Sequence, residues 1–356
     1  MGGKIYALDW GHSEEKIAVY DGEALHNELP KLKDGDIVVA ENVPSKIAKK
    51  ITKAGAKLLC CAPSFLADFR EEVGWGKTDD IDAILIMQAF QAHPDKFRPF
   101  REDPEILALY KAYKTIQAAR VQMSNRVWHK GEGIIQEIED ELEDREKDLF
   151  KRLGEELEKR RIWTDWLSKI EGIGPVISAG IIGYIEKVTL QRLRYPSSLW
   201  RLAGLHVRED GVAPRFEHGK KIDYNPELKK IFIGYAAASF VRNRTPPYRR
   251  LYEEEKQKQL SLTFAPGELK QRYPWYKASQ TKLRAGHADL RARRKVAKVF
   301  ALHLWLVWRA MEDLPLSMPY VIEHRNHRDF IAPPCCPEDV REKIKQTAKA
   351  VGACVT

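Results

Sequence analysis

Four short apolar runs in the first 62 residues limit the fold of this chain more than any other feature. They are KIYALD at 4–9, KIAVY at 16–20, DIVVAE at 36–41 and AKLLCCA at 56–62. Each has strand length and is bounded by turn formers such as WGHSEE and KDG. The first two are predicted to form a hairpin. The last two flank PSKIAKKITKAG, a helix-length segment, and a strand–helix–strand unit of this kind requires parallel pairing. A charged, glycine-bearing stretch follows and reads as a loop. A helix then opens at Asp79, in DDIDAILIMQAF. The order predicts an α/β layer.

From about Asp103 the period changes. Ile106, Leu109, Tyr113, Ile116, Val121 and Val127 recur at helical spacing, as do Ile134, Ile138, Leu142, Leu149, Leu153 and Leu157. Gly131 and Gly133 mark a break between two helices packed as an antiparallel hairpin, either a structural bundle or a coiled-coil arm. Next, IEGIGPVISAGIIGYI at 170–185 carries a Gly-Ile-Gly-Pro turn between apolar segments. It suits either a helix-hairpin-helix approach to phosphate or a tight packing turn. SSLWRLAGL, NPELKKIFIGYAAASFV and KVAKVFALHLWLVWRAM are further helices. The expected organisation is an α/β domain over 1–98, a helical arm over 99–168, a mostly helical domain over 169–330 and a tail over 331–356.

Sixty Lys and Arg against 51 Asp and Glu leave a net charge of +9, which suggests a polyanionic partner. The charge is segregated. RAGHADLRARRKVAK, 284–298, holds six cations and one acid, and RNRTPPYRR, 242–250, holds four arginines, whereas EIEDELEDREKDLF, 137–150, is mostly acidic. Arg242, Arg244, Arg291, Arg293, Arg294 and Lys295 are therefore the candidate phosphate contacts. The apolar runs are broken by charge before a membrane span forms, and residues 1–20 read as strand and turn rather than a signal peptide. A cytoplasmic protein with no membrane partner is expected. The five cysteines form two vicinal pairs and a singlet, which is no disulfide framework. His324, His327, Cys335 and Cys336 offer zinc donors, at a spacing outside the usual zinc patterns.

Acids stand where apolar runs would otherwise continue. Asp9 ends the first strand and Glu41 the third, and the carboxyl ends of strands are where open α/β sheets build sites. Asp79 and Asp82, three apart at a helix start, share one face. Acids on a first helical turn also suit the helix dipole by themselves. Four carboxylates gathered in one cleft repel one another unless divalent cations lie between them. Such a group, with Mg²⁺ or Mn²⁺, suits phosphoryl transfer on a phosphodiester.

The order Asp9, Glu41 and KTDDIDA, followed by a helical arm, GIGP, LAGL and a helical C-terminal unit, resembles the DEDD transposases of the insertion sequence 110 family, which include the Piv-like recombinases, in an archaeal-type member. The likeness runs from residue 4 to about 330, and KTDDIDA is its most specific part. The resemblance implies a RuvC-like, ribonuclease-H-like N-terminal domain, a coiled-coil arm and a C-terminal transposase domain. It places the catalytic, metal-binding acids on Asp9, Glu41, Asp79 and Asp82. It also implies a recombinase guided by a structured RNA, acting on DNA as a homo-oligomer, a dimer or tetramer. The family uses a serine of an SG pair in its C-terminal domain, where this chain has Asp210-Gly211. Ser239, beside basic residues, is the nearest helical serine. That departure leaves two alternatives: a nucleic-acid-binding relative that does not cut, and a junction-resolving nuclease that forms no covalent intermediate.

Overall fold

The computed structural model describes the chain apart from residues 1–2, 11–16, 42, 77–78, 101, 131–132, 209–210, 217–221, 326–328 and 356; the side chains of 64, 79, 80, 129, 130 and 355 are also outside the description. The chain divides into two compact units, Met1–Glu102 and Asp103–Thr356.

The first unit is a mixed sheet with helices on both faces. Its strands are β1 (Ile5–Trp10), β2 (Ile17–Tyr20), β3 (Leu25–His26), β4 (Ile37–Ala40), β5 (Lys57–Cys60) and β6 (Arg98–Pro99). The order across the sheet is β3-β2-β1-β4-β5-β6. Strands β1, β2 and β3 pair antiparallel, β4 and β5 run parallel to β1, and β6 closes the edge antiparallel to β5. Alternation along the strands separates two cores. Tyr6, Leu8, Val38 and Ala40 pack with Ile47, Ala48 and Ile51 of α1 (Ser45–Lys53). Ala7 and Val39 pack on the other face with Leu66 and Phe69 of α2 (Pro63–Val73) and Leu85 and Ile86 of α3 (Asp79–Ala92).

Helix α2 corrects the expectation of a loop before Asp79. Pro63 stands at its first turn, and Leu66, Phe69 and Val73 return at helical intervals to cover the sheet. Gly74, at φ 71°, closes the helix in the left-handed region that an L side chain disfavours.

The second unit is almost wholly helical. α4 (Glu105–Lys130) and α5 (Gly133–Leu157) pack along each other. Their antiparallel run is fixed by Tyr113 against Phe150 and by Arg120 Nε, 2.5 Å from Glu146 Oε2. The near end of this hairpin enters the main core through Ile106, Leu107, Tyr110, Leu153 and Leu157. Its far part leaves Val121, Trp128, Ile134 and Ile138 exposed, Trp128 at 87%.

Further on come α6 (Arg161–Thr164), α7 (Pro175–Val188), α8 (Pro196–Leu202) and α9 (Pro226–Lys230). A π-helical stretch, Ile231–Ala236, leads from α9 into α10 (Ala237–Asn243). Then follow α11 (Tyr248–Ser261), α12 (Glu268–Arg272), α13 (Ala285–Met311), α14 (Tyr320–His324) and α15 (Glu338–Ala350). A small parallel pair, β7 (Asp329–Phe330) and β8 (Cys354–Val355), completes the unit. Helix α13 is the axis of the core, with Phe300, Leu304, Trp305 and Leu306 fully buried. Residues 331–356, read from sequence as a tail, carry α15, whose Val340, Ile344 and Ala348 are buried in that same core.

Close approach explains two glycines of α7. A Cβ on Gly183 would lie 2.8 Å from Leu107 Cβ, and one on Gly180 would lie 2.7 Å from Ile231 Cδ1. The chain thus uses small residues to bring α7 against α4 and the π-helical stretch.

Polar groups are buried in this unit too, among them Ser178, His303 and Arg309. His303 is fully buried, with Nε2 2.8 Å from the Ile331 carbonyl and Nδ1 2.9 Å from the Tyr248 hydroxyl. A carbonyl only accepts, so Nε2 carries the proton and Nδ1 accepts from Tyr248. Burial pushes the imidazole down to about 4. The folded group is depressed below its unfolded value, so its stabilising effect is complete above about pH 6.5 and is lost as pH falls toward 4. Between those limits the second unit is expected to lose up to about 3 kcal/mol. His303→Gln should flatten that part of the stability–pH curve in urea unfolding, and an unaltered slope would refute the assignment.

Candidate functional site: strand-end carboxylates and a cationic cleft

Parallel register places the first two acids. Leu8 of β1 faces Ala40 of β4, and Ala40 faces Cys60 of β5. Asp9, Glu41 and Cys61 therefore stand one residue beyond these pairs, side by side across three parallel strands spaced about 4.8 Å apart. Each alternates with a residue of the opposite core, which turns Asp9 toward the face that carries Ala7, Val39 and Cys61. That face is the one covered by α2 and α3. Cys61 is buried, and its thiol is pushed up to about 12, chiefly by burial and next by the Glu41 carboxylate. Glu41 thus lies close enough to Cys61 to act on it, and the thiol is neutral.

Helix α3 opens at Asp79, as the sequence predicts, and packs over β1, β2 and β4. The Asp79 side chain lies outside the described residues. Asp82 is buried at 6% exposure, and Arg70 Nη2 of α2 donates to its Oδ1 at 2.5 Å. Sequence spacing contained no sign of this partner, twelve residues earlier on another helix. The pair ties α2 to α3.

Hard oxygen donors on adjacent strand ends suit Mg²⁺ or Mn²⁺. Asp9 and Glu41 meet that requirement by register. Among the described residues, no group of three or more His, Cys, Asp or Glu side chains is placed to hold a metal ion. Of the zinc donors considered from sequence, His327 lies outside the described residues, Cys336 is buried with its thiol pushed up to about 12, and His324 lies 3.8 Å from Glu323.

In the second unit, a cleft of about 460 Å³ gathers residues from four places in the chain. Lys114 comes from α4, Val176 and Ile177 from the first turn of α7, Ser239 and Arg242 from α10, and Arg293 from α13. Tyr235 lines it too, with Lys114 Nζ 5.3 Å from its ring centroid. The Gly-Ile-Gly-Pro turn sets the wall. Gly172, at φ 89°, approaches α10 so closely that a Cβ would lie 2.9 Å from Ser239 Oγ and Asn243 Nδ2. Ser239 is itself buried at 7% and accepts from Asn243 Nδ2 at 3.3 Å. Gly174 begins α7 with no side-chain cap, so its first-turn amides carry the positive end of the helix dipole. Three cations and a helix start facing one cleft form an anion-attracting surface.

The six candidate phosphate contacts divide. Arg242 and Arg293 line this cleft, with Arg293 Nε 2.8 Å from Asp289 Oδ2. Arg244 caps α10 in a left-handed conformation, exposed. Lys295 is exposed and Arg291 half-buried. Arg294 turns inward: Nη2 donates to the carbonyls of Leu205 and His206, and burial lowers its pKa. Its role in the fold is to close the Leu205 turn, a geometry that a run of basic letters does not reveal. Asp210 lies outside the described residues.

No helix among the described residues is long and apolar enough to cross a membrane. Neither the family models nor the curated proteins compared with this chain give a match.

Proposed function

We propose that the chain is a metal-dependent phosphoryl-transfer enzyme acting on nucleic acid, a transposase or recombinase of the insertion sequence 110 kind. The observation that carries this reading is the pair Asp9, next to last in β1, and Glu41, the residue after β4, which stand one position beyond the register pair Leu8–Ala40 of these two parallel strands. The strand order supports a ribonuclease-H-like, RuvC-like first unit: three antiparallel strands, then two parallel to the first. A divalent cation held by Asp9 and Glu41, with Asp79 as a further oxygen ligand and Asp82 beside it, would supply charge neutralisation at a phosphodiester and activation of an attacking oxygen.

The residues of the chain do the rest. Arg70 holds Asp82 in place, and the neutral Cys61 bounds the carboxylate pair without adding charge. In the second unit, Lys114, Arg242, Arg293 and the α7 start attract backbone phosphate without reading bases. Ser239 borders that cleft as the candidate hydroxyl of a covalent step. The exposed Val121, Trp128, Ile134 and Ile138 on the α4–α5 hairpin support a homo-oligomer, and the basic surplus supports DNA and a structured guide RNA as partners.

Engagement of Asp82 by Arg70 favours one second reading, a nucleic-acid binder that does not cut. Cleavage of nicked or branched DNA in Mg²⁺ separates the two. Turnover that disappears with Asp9→Asn supports the enzyme, and firm binding without turnover supports the binder.

The cleft gives an expected result of its own. Lys114→Gln and Arg242→Gln should each weaken duplex binding about equally on unrelated sequences and reduce the slope of log affinity against log salt by about one. Titration of labelled duplex at several salt concentrations measures this. A slope that does not change removes the cleft from the interface.

A further inference from the structure

Residues 262–284 form a small satellite core of their own, built on Leu269, Tyr276 and Leu283. On its outside stands Trp275, 54% exposed. The ring is held rather than loose. It leans on Tyr273 at a centroid distance of 5.4 Å, the Arg215 guanidinium lies 5.7 Å from its centroid, and Arg284 Nη2 donates to its backbone carbonyl at 3.1 Å. Tyr273 is fixed in turn by an edge-on contact with His287 at 4.6 Å. Arg291 lies close enough to lower the His287 pKa further, after burial. Residues 262–295 carry nine Lys or Arg against two acids.

A braced indole exposed to water forfeits the burial energy of a large aromatic side chain, which is a cost unless something stacks on it. The surrounding cations disfavour a second cationic surface and match phosphate. We propose that Trp275 is a stacking platform for an unpaired nucleobase, with Arg215 and Arg284 in contact with it for the flanking phosphates, so that this face takes single-stranded nucleic acid. A duplex hides its base faces and offers Trp275 nothing to stack on. The inference rests on the nucleic-acid reading above and adds to it the form of strand bound.

Fluorescence anisotropy with labelled oligothymidylate and with blunt duplex of equal length tests it, using the full chain and the variants Trp275→Ala and Trp275→Phe. The expected result for Trp275→Ala is single-strand affinity reduced by roughly 5- to 150-fold, with the duplex nearly unaffected, and most of the loss restored in Trp275→Phe. Equal losses on both strand forms, or none on either, would overturn the platform while leaving the wider reading in place. So would an effect of Trp275→Ala only on binding to phosphatidylglycerol vesicles, since Trp and Arg together also suit an anionic lipid surface. If the full chain binds neither oligonucleotide, both the platform and the nucleic-acid reading fall.

Discussion

Replacing Asp9 with Asn, or Glu41 with Gln, is expected to reduce Mg²⁺-dependent cleavage of nicked or branched DNA by more than about 100-fold. That magnitude exceeds the 10- to 100-fold that loss of a supporting group around a metal typically costs. Each amide keeps the size of the acid and removes the charge on which a hard cation depends. The two positions are neighbours by register, so each substitution removes half of the negative charge at the centre of that strand-end row. Secondary structure, followed by circular dichroism, should be retained, because the buried residues of β1 and β4 belong to the two sheet cores and not to the acids. Cleavage within a few-fold of the parent in both variants would dismiss the carboxylates as the catalytic centre.

The second large effect is on stability. Asp82→Ala leaves the Arg70 guanidinium buried beside an apolar gap, and removing one member of a buried pair typically costs about 3–5 kcal/mol. Side chains of Arg70 and Asp82 are 18% and 8% exposed, so solvent screening is weak. Urea unfolding of the first unit's transition should report that loss. The combined change Arg70→Met with Asp82→Leu should recover most of it, since an apolar pair of similar volume carries no desolvation penalty. A loss below about 1 kcal/mol in Asp82→Ala would mean that the pair does not hold α2 to α3.

These two expectations distinguish acids that sequence inspection treats alike. Spacing placed Asp79 and Asp82 together at a helix start, and the helix does open there. The Arg70 contact is absent from any periodic pattern because it joins two helices, and so Asp82 reads as a ligand alone when only the sequence is inspected. Strand ends were legible for a different reason. An acid at Asp9 or Glu41 stands out against the apolar run before it, and the parallel register that pairs Leu8 with Ala40 sets the next positions of the two strands side by side.

Short strands such as β3 and β6 carry two residues each, too few for alternation to appear. Helix α2 was obscured by its acids and by Pro63, although its apolar positions recur at helical intervals. In the second unit the basic letters of 284–298 were plain, but their directions were not. Arg293 faces the cleft, Arg294 faces backbone carbonyls, and Lys298 lies over the Trp200 ring at 4.3 Å, its ammonium pushed down to about 8 by burial and then by Arg294 and Lys295. Three cations of one helix thus have three different surroundings.

Mn²⁺ titration followed by electron paramagnetic resonance, which needs no substrate and no turnover, reads whether the strand-end carboxylates form a divalent-cation site. The intact chain is expected to take up Mn²⁺ with saturation, Mg²⁺ to compete for the same site, and the combined variant Asp9→Asn with Glu41→Gln to lose that binding while remaining folded. Uptake by the combined variant equal to that of the intact chain, or no saturable uptake by either, would mean that Asp9 and Glu41 hold no divalent cation.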